Sequence, residues 1–312
     1  MTPTSGIITI YDVRLELNKT GSCGIGDTDA RALAGKTSGT IALSDFYGKY
    51  RSRVWSYGPN WPLGAKYYLA GAGTHTAAVF WSGGTVNTYE YNGTAWAAGG
   101  NSTVAYYWPA SSGTQTAAHS LGGSNQYYTH KYNGTSWSAS TTMSGWRPVY
   151  NSTSPGGHSG TSSTASTTAV ATYTRSYNGS AFGTLANSLR YEKEESSGGG
   201  SGWAMKSAGY HESYTQYFNA TSWISGHFSS GYKCSRIHAS NYERNIQSNG
   251  WGGNGYNAQT QMFIGGPTGA SSNVSSGLTI KDRCGASGDT ENAINVGGYN
   301  DSGYVATMEL FV

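Results

Sequence analysis

Beyond residue 50 the apolar positions fall in short runs that end at Gly, Asn, Ser or Thr, and few windows carry a helical period. That pattern predicts many short strands joined by tight turns. One phrase recurs inside it. Tyr91-Asn92-Gly93-Thr94-Ala95-Trp96 returns as Tyr132-Asn133-Gly134-Thr135-Ser136-Trp137. It returns again, altered, as Tyr177-Asn178-Gly179-Ser180-Ala181-Phe182 and as Phe218-Asn219-Ala220-Thr221-Ser222-Trp223. The closing aromatics lie 41, 45 and 41 residues apart. A period of about 40–50 residues marks a repeat architecture.

The phrase reads as an aromatic ending one strand, an Asn-Gly hairpin turn at positive φ, and a Trp opening the next strand. Upstream, Gly73-Thr74-His75-Thr76-Ala77-Ala78 matches Gly113-Thr114-Gln115-Thr116-Ala117-Ala118, and each is followed by a double glycine, Gly83-Gly84 and Gly122-Gly123. Each block is thus a small antiparallel sheet, one blade of a β-propeller. The expected fold is mainly β, with a propeller of four-stranded blades over residues 51–312 and a small mixed module over residues 1–50. The spacing of the double glycines points to six blades, with five or seven open. Blade five retains Ala258 to Gly266, and blade six Asn292 to Gly298 and then Tyr304 to Val312. The repeat in blade six stops before a Trp strand, and Arg53-Val54-Trp55-Ser56 is placed to supply it. That closure would pair the start of the ring with its end and remove two exposed edges.

The double glycine, Tyr strand and Trp strand in repeat resemble kelch-like and galactose-oxidase-type propellers over about 260 residues. Phe182 for Trp, Ala208 for Gly and a ragged fifth blade depart from the pattern. The resemblance concerns the scaffold, and a scaffold does not fix function.

Residues 1–50 differ from the rest. Ile8-Thr9-Ile10 alternates like a strand. Asp12 is placed to cap a short helix through Leu17, and Asp27 or Thr28 another through Ala34, with Gly35 as its stop. Thr40 to Leu43 reads as a second short strand, and Ser44-Asp45 as a turn carrying Phe46 and Tyr47. Ala30 to Lys36, followed by Leu43-Ser44-Asp45-Phe46-Tyr47-Gly48-Lys49, resembles a short module of tailed-phage structural proteins. The resemblance implies a virion protein in which this module attaches to other virion proteins or forms a homo-oligomer.

Composition changes the picture in a few places. Charged residues make up 11% of the chain, well below the ~25% usual for soluble proteins. Aromatics at 13% exclude disorder as the reason. A net charge of +3, with the basic residues scattered, gives no nucleic-acid footprint. No signal peptide and no apolar run long enough for membrane insertion are visible. An adhesive composition without a secretion signal fits a virion protein made in a host cytoplasm and released by lysis. Cys23, Cys234 and Cys284 have no metal-binding spacing, and separate thiols are expected, with a Cys234–Cys284 bond left open.

Candidate chemistry is sparse. No His pair has ligand spacing, and His75 aligns with Gln115 inside a repeat, so copper chemistry is not expected. Asn-Gly-Thr-x-Trp echoes an Asp-box, but Asn replaces the Asp and no arginine triad is evident. Glu192, Glu194 and Glu195 sit in a Gly/Ser-rich stretch that reads as a solvated loop. Asn-x-Ser/Thr triplets are accounted for by turn chemistry. No catalytic residue, metal or cofactor is expected. The segments that cross from one blade to the next carry aromatics and bases: Tyr67, then Tyr107 and Trp108, then Trp146 and Arg147, then Arg190 and Tyr191, then Lys233. Equivalent positions in a propeller gather on one face, where rings can stack on sugars and bases can meet acidic groups; packing of the rings between blades, with the bases capping turns, is the weightier alternative. The expected function is a phage virion structural protein, a tail fibre, spike or surface decoration, binding host-surface glycan. A propeller enzyme acting on host polysaccharide and a purely structural decoration protein are the alternatives.

Overall fold

The computed structural model describes residues 2, 6–17, 19, 21–49, 53–107, 109–123, 126–142, 160–163, 174–177, 180–187, 189, 196–200, 203–207, 214–228, 236–240, 244–252, 255–264, 270–281, 284–288 and 292–312. The chain divides into two compact units, Met1–Arg53 and Val54–Val312.

The first unit contains helices α1 (Ile10–Glu16) and α2 (Thr28–Ala34) and a single 3-10 turn, Leu43–Phe46. Three aspartates set the local turns. Each accepts a backbone N–H from three positions earlier: Thr9 to Asp12 at 2.7 Å, Gly24 to Asp27 at 3.0 Å and Ala42 to Asp45 at 2.8 Å. Asp27 precedes α2, and Gly35 ends it at φ 72°. Asp12 is not the cap expected from sequence. It is the third residue of α1, and Thr9 caps the helix, its hydroxyl accepting the Asp12 N–H at 3.3 Å. That reciprocal pair makes Thr9-Ile10 a helix start, so the strand expected over residues 8–10 does not form. The strand expected over Thr40 to Leu43 is also absent, because Asp45 draws the Ala42 N–H into the 3-10 turn.

Val13, Ala30 and Phe46 form the core of this unit with Ile8 and Ala34. Lys19 bridges Asp27 and Asp29 at 2.9 Å each, and Lys36 meets Asp45 at 2.8 Å. These ammonium groups hold the Asp27 and Asp45 carboxyls below the usual carboxylate range. Arg53 and Glu16 form a buried pair at 3.1 Å.

The second unit is built of antiparallel sheets in chain order. Its first strand, β1 (Trp55–Tyr57), belongs to the last sheet. Blade one comprises β2 (Leu69–Thr74), β3 (Ala77–Ser82), β4 (Thr88–Tyr91) and β5 (Trp96–Ala98). Blade two comprises β6 (Ala110–Thr114), β7 (Ala117–Gly123), β8 (Gln126–Tyr132) and β9 (Trp137–Thr142). Blade three shows β10 (Gly160–Ser163), β11 (Thr174–Tyr177) and β12 (Phe182–Thr184) among the described residues. Blade four has β13 (Ser196–Gly200), β14 (Trp203–Ser207), β15 (Tyr214–Phe218) and β16 (Trp223–Phe228). Blade five has β17 (Arg236–Ser240), β18 (Arg244–Gly252), β19 (Gly255–Ile264) and β20 (Ala270–Ser276). Blade six has β21 (Gly285–Gly288) and β22 (Ala293–Val296), then the small hairpin of β23 (Tyr299–Asn300) and β24 (Gly303–Tyr304), then β25 (Met308–Phe311).

Blade six is ordered β21-β22-β25-β1, so its outer strand comes from the beginning of the unit. The inner strands form a closed ring: β2 lies beside β6 and β21, β10 beside β6 and β13, and β17 beside β13 and β21. The fold is a β-propeller.

The repeated phrase has one structural meaning throughout. Tyr91 pairs across the strands with Trp96, Tyr132 with Trp137, Tyr177 with Phe182 and Phe218 with Trp223. In the closing blade Phe311 pairs with Trp55. The ring centroids are 5.2, 5.1, 5.3 and 5.3 Å apart for the Tyr91, Tyr132, Phe218 and Phe311 pairs. The Trp rings also join neighbouring blades. Trp137 packs on Trp81 at 5.0 Å and donates its indole N–H to Thr88 at 2.8 Å. Trp55 donates to Thr260 of blade five at 2.7 Å.

The innermost strands are rich in Gly, Ala and Ser for a steric reason. A Cβ on Gly71 would come within 2.7 Å of the Ala286 carbonyl, and the Ser287 hydroxyl reaches the Gly73 carbonyl at 2.7 Å. Small side chains let neighbouring blades approach at the centre, and β2, β6 and β21 are buried along almost their whole length. Cys284 is buried, its Sγ 3.4 Å from the Asn295 side-chain oxygen. Cys234 lies outside the described residues.

Candidate functional site

In a four-stranded antiparallel meander the first and third turns lie at one end of the blade. The second turn and the crossing to the next blade lie at the other. The Asn-Gly turns therefore share a face with the Gly-Thr-x-Thr turns: a Cβ on Gly93 would meet Thr76 at 3.5 Å, and one on Gly134 would meet Thr116 at 3.3 Å. The double glycines share the opposite face with the crossing segments. The Gly84 N–H donates to the Tyr106 carbonyl at 3.0 Å, and the Gly298 N–H to the Lys66 carbonyl at 2.7 Å.

Glycine is required at these turns on two counts. Gly83 and Gly84 sit at φ 67° and 75°, and Gly297 and Gly298 at 63° and 121°. A Cβ on Gly84 would also come within 2.6 Å of the Tyr107 ring. Tyr107 thus lies flush against Gly84 while 47% exposed.

Tyr67 holds the corresponding place one blade earlier. It stacks on Tyr304 at 4.4 Å with an interplanar angle of 10°, touches Tyr68 at 3.9 Å and lies 6.3 Å from Tyr299. Tyr299 and Tyr304 are paired across the β23–β24 hairpin, whose turn is held by the Ser302 N–H donating to Asn300 at 2.9 Å. Tyr304 is 54% exposed, Tyr67 and Tyr299 are half-buried, and Tyr68 is buried at φ 60°. A hydroxyl bond with Tyr304 is the main cause that pushes the Tyr67 pKa up to about 12. Burial and the nearby Tyr68, Tyr304 and Tyr107 phenols add to it. Tyr67 and Tyr107 are therefore brought to one face and within electrostatic reach of each other.

Trp108, Trp146, Arg147, Arg190, Tyr191 and Lys233 lie outside the described residues, as do Glu192, Glu194 and Glu195. Sequence reasoning missed Tyr299 and Tyr304 as members of this face. Their signal was Tyr-Asn-Asp-Ser-Gly-Tyr directly after Gly297-Gly298, a hairpin grown out of the second turn of blade six.

Gln115 and His130 are polar groups taken up by the fold. Gln115 donates to the Ala78 and Tyr91 carbonyls of blade one at 3.2 and 3.0 Å, clasping two blades. His130 is buried between Thr103, at 3.1 Å, and Tyr106, and burial lowers its pKa. Among the described residues no group of three or more His, Cys, Asp or Glu side chains is placed to hold a metal ion. Among them, too, no helix is long and apolar enough to cross a membrane.

The chain is similar to the solved structure of YjhT. The match has a TM-score of 0.63 at 11% identity and covers 82% of this chain and 97% of that one. At that identity the likeness shows the fold alone. No family model matches the sequence, and no curated protein matches it.

Proposed function

We propose that the protein is a non-enzymatic structural component of a tailed-phage virion that binds host-surface glycan through the tyrosine face of its propeller. The observation carrying the glycan reading is the gathering of Tyr67, Tyr107, Tyr299 and Tyr304 on one face, with Tyr107 and Tyr304 about half exposed. Phenol rings held against a fixed backbone offer flat apolar area with a polar tip and few rotors to freeze, which suits the C–H faces of sugars. The virion reading is supported by the resemblance of Ala30 to Lys49 to a phage structural module, together with a glycine- and aromatic-rich, low-charge composition. Residues 1–50 would dock the protein to other virion proteins or to further copies. Several copies on one particle convert weak single sites into firm attachment.

The test is binding of the purified intact chain to bacterial cells and to a glycan array, beside a Tyr107→Ala/Tyr304→Ala variant of equal thermal midpoint. Binding by the native chain and its loss in the variant is the expected result. Binding to neither cells nor glycans would leave a decoration role as the better account. Breakdown of cell-surface polysaccharide would favour an enzyme.

A further inference from the structure

We infer that the tyrosine face takes a run of linked sugars rather than a terminal monosaccharide, with Tyr107 and Tyr304 as separate stacking platforms. The inference rests on the glycan reading above and deepens it.

Each platform rests against the fold and keeps about half of its surface exposed. Tyr107 is backed by Gly84, where a Cβ would come within 2.6 Å of the ring, yet it keeps 47% of its surface. Tyr304 is backed by Tyr67, stacked at 4.4 Å and 10°, yet keeps 54%. A ring held against the fold is fixed before the ligand arrives, so little side-chain entropy is lost on binding.

The two platforms come from different parts of the ring. Tyr107 belongs to the crossing from blade one to blade two, and Tyr304 to the hairpin of blade six. The Gly83-Gly84 turn joins their neighbourhoods: Gly83 abuts Lys66 and the Tyr67 carbonyl, and Gly84 abuts Tyr107. A single sugar ring stacked on one platform leaves the other unused, whereas a chain can engage both.

Asn300, Asp301 and Ser302, in the same hairpin as Tyr304, and Lys66, next to Tyr67 in the chain, offer donors and acceptors of both charge signs. They suit hydroxyl-rich units.

The experiment uses the intact chain and defined cello-, malto- and chito-oligosaccharides from monosaccharide to hexasaccharide, titrated by calorimetry. Affinity is expected to rise about tenfold or more between disaccharide and hexasaccharide in the ladder that binds. Tyr107→Ala and Tyr304→Ala should each remove most of that gain while weakening the disaccharide less. Tyr107→Phe should keep it, because the stacking face survives. Affinity that does not change with length, or a hexasaccharide affinity untouched by Tyr107→Ala, overturns the inference and leaves the glycan reading standing. Binding to none of the ladders, together with no binding to cells or array, sinks both.

Discussion

Asn92, Asn133 and Asn219 do the same work in three blades. The side-chain oxygen of each accepts the N–H groups two and three residues on, from Thr94 and Ala95, Thr135 and Ser136, and Thr221 and Ser222, all within 3.1 Å. The turn is a four-residue loop closed by Asn92 N–H to the Ala95 carbonyl at 3.2 Å, not the two-residue hairpin that Asn-Gly suggests from sequence. Asn supplies the acceptor and the next residue supplies the positive φ: Gly93 at 94° and Gly134 at 90°, but Ala220 at 75°. An alanine there pays the left-handed penalty of about 1–2 kcal/mol. Ala220→Gly is expected to stabilise the protein by about 0.5–1 kcal/mol once the added freedom of the unfolded chain is subtracted. Denaturant midpoints measure it. A loss of stability would mean that the turn in blade four is held differently from its counterparts.

At the scale of elements, the aromatic pair at the end of each third strand is what made the blades legible. It fixes the register of the outer strand, and its period survives Tyr-to-Phe and Trp-to-Phe exchanges because only a cross-strand ring contact is needed. Blade five lacks it: Ile264 faces Ala270 there, which is why that blade looked ragged in sequence. The seam was legible too, since the last repeat lacked a Trp strand and Trp55 stood unclaimed before the first. Trp55 is 5% exposed and bonds to a residue 205 positions away. Trp55→Ala should cost about 3–5 kcal/mol, as for a buried Trp inside a continuous blade. A chemical-denaturation cost below about 1 kcal/mol would show that the seam does not hold the ring. The N-terminal unit was less legible. Its apolar alternations are too short to separate strand from helix, and side-chain capping by Thr9, Asp12 and Asp45 decided the outcome.

At the scale of the whole molecule, the ring brings together residues that the sequence keeps far apart. The crossing segments were recognisable as a set, so Tyr67 and Tyr107 were named from their position alone. Tyr304 was read as the start of the last strand, because nothing local distinguishes a hairpin that leaves the sheet from one that stays in it. Its place beside Tyr67 depends on closure, which puts blade six against blade one through Trp61, Leu69, Phe80, Ile294, Val296 and Met308. The most direct test of the tyrosine face is nitration of the intact chain by tetranitromethane with and without the best-binding glycan, read residue by residue by mass spectrometry. Tyr107 and Tyr304 should be protected severalfold by the glycan, while Tyr11 of the N-terminal unit, 54% exposed, should react as before. Unchanged nitration of Tyr107 and Tyr304 under saturating glycan would place the sugar elsewhere and contradict the account.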